Sequence, residues 1–100
     1  MTKIELFNAK SAGVALEDGV TFECKDAGIY KDTDKDGNEV DAVAFVATDG
    51  TVYTGIGAGL IRAVDDLLDI IADMGGAVTV KCNVIKTKSD RDFKTLSIIE

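Results

Sequence analysis

Residues 58–76 read AGLIRAVDDLLDIIADMGG, and the reading of this stretch decides the fold. Leu60, Ile61, Val64, Leu67, Leu68, Ile71 and Met74 recur at three- and four-residue spacing and form one apolar stripe. Arg62, Asp65, Asp66, Asp69 and Asp73 fall on the other side. The pattern predicts a single amphipathic helix over residues 58–74, ended by Gly75-Gly76, since glycine accepts a left-handed cap. Asp65–Asp69 and Asp69–Asp73 are like-charge pairs one turn apart, each mildly unfavourable. Burial of the stripe, not surface pairing, must hold this helix.

Outward from the helix on both sides the period changes from helical to two. Val78, Val80, Cys82 and Val84 alternate with Thr79, Lys81, Asn83 and Ile85, which predicts a strand with one apolar face. Residues 86–92 read as a polar, mostly basic turn, and Phe93 to Ile99 as the last strand. Upstream, Val40 to Thr48 is a strand whose run Val43-Ala44-Phe45-Val46 implies burial on both faces. Asp49-Gly50 is a hairpin signal before Thr51-Val52-Tyr53-Thr54. Val20 to Lys25 alternates as a half-buried strand and continues, with a bulge expected at Ala27-Gly28, into Ile29-Tyr30-Lys31. Ile4 to Phe7 reads as a short strand, and Asn8 to Gly19 as loop.

The expected order is β-β-β-α-β-β with an N-terminal extra: a mostly β chain with one helix, arranged as an OB-fold-like small Greek-key barrel. With 100 residues and no linker, one domain over 1–100 is expected. A composition of 46% hydrophobic and 29% charged residues argues against disorder. No stretch approaches the roughly 20 apolar residues that span a bilayer. The first residues turn charged before any apolar run, so no signal peptide and no membrane are expected, and the location expected is the cytoplasm.

Cys24 and Cys82 stand alone, and there is no histidine. That excludes a usual four-ligand zinc site and leaves two buried, reduced thiols. Without histidine no side chain titrates near neutral pH unless strongly perturbed. No nucleophile motif is present, so neither catalysis nor a cofactor is expected.

Three motifs are weaker than they look. Asp32-Thr33-Asp34-Lys35-Asp36-Gly37 opens like a calcium loop, but the twelfth position, where a bidentate Glu belongs, is Val43. A solvated acidic hairpin is the better reading. Gly55-Ile56-Gly57-Ala58-Gly59 joins a strand to a helix, but Leu60 stands where a dinucleotide fingerprint needs glycine. The aspartate row on the helix reads as a solvated face.

Charge is distributed unevenly. Residues 1–75 carry 6 basic and 15 acidic side chains, whereas residues 76–100 carry 5 basic and 3 acidic. The basic ones are Lys81, Lys86, Lys88, Arg91 and Lys94, with Phe93 among them. Tyr30 and Tyr53 sit in strands with polar neighbours. Cations that track phosphates beside rings that stack on bases are what sequence-independent single-strand binding needs.

The chain resembles the small single-stranded DNA-binding proteins of phages that replicate linear DNA by protein priming. The likeness is carried by KIELFNA at 3–9, Tyr30-Lys31-Asp32 before the acidic turn, VAFVATDGTVY at 43–53, AVDDLLD at 63–69, and Phe93 with Leu96-Ser97. The resemblance implies a non-enzymatic protein that coats displaced single strands during phage replication, in the host cytoplasm. Its partners would be single-stranded DNA and replication proteins. It also implies that Tyr30 and Tyr53 contact DNA, since they fall where the family's tyrosines do. The five basic residues are candidates from charge alone. A strand edge left open could pair with a second copy. The alternative reading is an acidic protein-interaction module, a DNA mimic or phage adaptor, acting through the helix face. Under the leading reading the stripe of the helix plugs the barrel, and DNA lies away from Asp65, Asp66, Asp69 and Asp73.

Overall fold

The period-two runs become strands in the computed structural model, which describes residues 2–86 and 92–99. In chain order the elements are α1 (Lys3–Ala12), β1 (Val14–Ala15), β2 (Thr21–Thr33), β3 (Glu39–Ala47), β4 (Val52–Ile56), α2 (Ala58–Asp73), β5 (Val78–Lys86) and β6 (Asp92–Ile99). The sheet order is β1-β4-β3-β2-β5-β6. All neighbours are antiparallel except β1, which runs parallel to β4. The sheet curls into a half-barrel with α2 between the third and fourth barrel strands, as in an OB-like fold.

The core lies between α2 and the concave face of the sheet. Leu60, Val64, Leu67 and Ile71 of α2 are buried there with Phe22, Val43, Phe45, Val80 and Cys82. The stripe predicted from spacing is buried or partly buried up to Ile71, but Met74 caps the helix and is 68% exposed; Asp65, Asp66, Asp69 and Asp73 are exposed. Tyr53 belongs to the same side: its ring stacks on Phe22 with centroids 4.3 Å apart and planes 22° from parallel. Burial pushes the Cys24 thiol up to about 11, and burial raises Cys82 as well. Both therefore stay protonated near neutral pH, which makes them small apolar core residues and poor nucleophiles.

The short strand expected at Ile4–Phe7 is instead the first half of α1. Two reciprocal bonds explain it. The Glu5 N–H donates to Thr2 Oγ1 at 3.1 Å, and the Thr2 N–H donates to Glu5 Oε1 at 3.2 Å. This capping box, Thr-x-x-Glu, satisfies two donors that a helix start leaves unpaired. Burial does not hold the segment, because Ile4 and Phe7 are each 75% exposed. The loop expected over 8–19 accordingly shrinks, and part of it becomes β1.

The bulge in β2 also falls earlier than expected. The pairing with β3 slips between Cys24 and Asp26, leaving Lys25 as the extra residue. Asp26 braces the kink: its Oδ1 accepts the Ala27 N–H at 2.8 Å, and its carbonyl accepts the Cys24 thiol at 3.2 Å. At the far end of the β2–β3 ribbon, Asp34 Oδ1 accepts the N–H groups of Asp36 and Asn38, both at 2.9 Å. The acidic turn thus uses this carboxylate to close its own backbone.

The glycines of the β4–α2 turn answer to packing. A Cβ on Gly55 would stand 2.7 Å from Leu60 Cδ1 and 3.5 Å from Leu16 Cδ1. One on Gly59 would stand 2.6 Å from the Lys94 carbonyl oxygen and 2.8 Å from the Phe93 ring. The first turn of α2 therefore touches β6, and only glycine permits it. Alanine normally favours a helix over glycine by up to about 1 kcal/mol. Here the nearest atom is backbone, so Gly59→Ala should instead destabilise by about 1–3 kcal/mol, as overpacking does. A urea melt of the variant checks the sign.

Candidate nucleic-acid interface

After the bulge, β2 turns its even-numbered residues to the convex side of the sheet. Tyr30 is opposite Ala42 on β3, which is opposite Ile56 on β4. Ala42 and Ala44 are fully buried, yet they alternate with Val43 and Phe45 and so lie on the side away from the core. Thr54 of β4 stands close enough to the Tyr30 phenol to lower its pKa, and both line one groove. Strands β2 and β4 are two spacings apart, roughly 9.5 Å, so the phenol must cross β3 to reach Thr54. Two alanines beneath it give the room. Tyr30 itself is half-buried there.

Burial raises the Tyr30 pKa above its ordinary phenol value, the charge of Asp32 adds to the shift, and Thr54 partly offsets it. The ring therefore stays neutral at physiological pH. A neutral ring can approach a base without repelling the adjoining phosphates.

Tyr30 forms one wall of a shallow groove of about 260 Å³. Ala15, Thr54 and Ile56 line its floor, and Asp32 and Lys94 complete the walls. Lys94 comes from β6, so the curl of the sheet brings the last strand to the β4 side. The groove thus joins a ring and a cation that stand 64 residues apart.

The other candidates are dispersed. Lys86 lies diagonally across from Lys94 on the same pleat face, on a part of β5 that pairs only with β6. That ribbon is anchored where Asp18 Oδ1 accepts the Val84 N–H at 2.9 Å. Lys81 is exposed, but on the opposite pleat face, between Thr21 and Ser97. Phe93 is 36% exposed and rests against Gly59. Tyr53 is half-buried, with one face given to Phe22. Lys88 and Arg91 lie outside the described residues.

Thr54, Ala42 and Ala44 were not singled out from sequence, and Asp32 was noted only as the start of the acidic turn. The signal for the alanines was present. Small residues occupy one parity of Asp41–Ala47 at 42 and 44, and large ones occupy the other at 43 and 45. For Thr54 nothing local distinguishes it from other polar strand residues.

Tyr30, Thr54 and Ile56 lie on the side of the sheet away from α2 and its exposed aspartates, whereas Lys94 shares the pleat face of Val80 and Cys82. Among the described residues no helix is long and apolar enough to cross a membrane. A family model described as phage single-stranded DNA-binding protein, of the phi29 type, matches residues 1–99. No curated protein and no solved structure matches the chain.

Proposed function

The chain belongs to the phi29-type phage single-stranded DNA-binding protein family, and from that premise we propose that it coats strands displaced during phage DNA replication without reading their sequence. Bases stack on Tyr30, and Lys94 neutralises a neighbouring phosphate. Lys86 extends the cationic track along the β5–β6 ribbon, and Lys88 and Arg91 add to it by charge. Phe93 and Tyr53 contribute less, since their rings are partly engaged, and Lys81 does not line the groove. The observation that carries this reading is the meeting of Tyr30 and Lys94 in one groove. Stacking of this kind tolerates any base, and the cations make it salt-sensitive.

The test is tyrosine fluorescence during titration with an unstructured single-stranded oligonucleotide at low salt. The chain has two tyrosines and no tryptophan, so the signal is unmixed. Quenching and a retarded complex are expected, with log K falling by roughly 0.7 per phosphate contact for each tenfold rise in salt. The absence of both quenching and a retarded complex would refute the proposal.

A further inference from the structure

Asp32 follows Tyr30 by two residues on the same face of β2 and lines the same groove. A carboxylate is an unsuitable wall for phosphate, because like charges repel at this range. Lys94 occupies the other wall. The pair gives the groove a polarity, with backbone toward Lys94 and bases toward Tyr30 and Asp32.

We infer that Asp32 accepts a hydrogen bond from the amino edge of the base stacked at Tyr30, so that the groove favours amino-bearing bases over thymine. The inference rests on the nucleic-acid reading above and adds a composition bias to it. An ionised carboxylate only accepts hydrogen bonds. Asp32 Oδ1 takes the Thr33 N–H at 2.8 Å, which leaves acceptor capacity on the second oxygen. The cross-strand neighbour of Asp32 is the apolar Val40. Two residues along a strand span roughly 6.8 Å, enough for a pyrimidine ring and its exocyclic group. Cytosine presents an N4 amino donor at that edge, where thymine presents its O4 acceptor. A carboxylate binds the first and repels the second.

The experiment compares oligo-dC and oligo-dT of equal length, at low salt and pH 8, by anisotropy of a labelled strand. The full chain and Asp32→Asn are titrated in parallel. Asparagine keeps an oxygen for the Thr33 N–H, so the turn geometry is preserved. The wild-type chain is expected to prefer oligo-dC by about fivefold, within the range of one base-edge contact. Asp32→Asn should bring the ratio close to one, mainly by tightening oligo-dT. Equal affinities in the wild type, or an unchanged ratio in Asp32→Asn, overturn the inference and leave the proposed function standing. Failure of the wild type to bind either strand overturns both.

Discussion

Phe45→Ala is expected to lower the unfolding free energy by about 3–5 kcal/mol, the cost of truncating a fully buried aromatic. Phe45 has no exposed surface and stands at the centre of β3, between Ala27 of β2 and Tyr53 of β4. Its loss would open a cavity beside the stacked Phe22–Tyr53 pair. Neighbours held by strand pairing on both sides can collapse into it only partly. Domains of this size are stable by about 5–15 kcal/mol, so the variant would keep a fraction of that margin or none. The denaturant midpoint, followed by far-ultraviolet circular dichroism, measures it. A loss under 1 kcal/mol would mean that Phe45 is not at the centre of the core.

Tyr30→Ala should weaken single-strand binding by about tenfold or more while leaving the fold intact, since one stacked base contributes about 1–3 kcal/mol. The ring lies on the convex side, so its removal empties no part of the core. Labelled-strand anisotropy reads the affinity, and circular dichroism reads the fold. Tyr30→Phe sharpens the test. It keeps the ring, removes only the hydroxyl beside Thr54, and should bind nearly as well as the wild type. Most of the fluorescence quenching should vanish with it, because Tyr53 is the sole remaining tyrosine and its ring is held by Phe22. Unchanged affinity in Tyr30→Ala would exclude the groove as the binding face.

Much of this was legible in the chain. Five barrel strands, the helix between the third and fourth, and the two-sided burial of Val43–Val46 all follow from local periodicity. The N-terminal helix was also legible in principle, through Thr2 and Glu5, but its short apolar segment imitates a strand. The acidic side of α2 is a matter of spacing alone.

The groove was only half legible. Tyr30 and Lys94 stand out by residue type, but their meeting depends on the curl of a six-stranded sheet, which no local pattern encodes. The clearest case is the pair of tyrosines. Both sit in strands among polar neighbours, and the sequence by itself determines no more than that. Phe22 and Cys24 place the even positions of β2 in the core, which would send Tyr30 inward. One extra residue at Lys25 reverses the parity, so that Ala27 faces the core and Tyr30 faces out. A shift of one residue exchanges the two faces of a strand. The chain therefore determined its strands, its helices and its charge asymmetry, because these depend on neighbours in sequence. Which tyrosine faces the core and which faces the opposite side of the sheet was decided by the bulge and by what packs on each face.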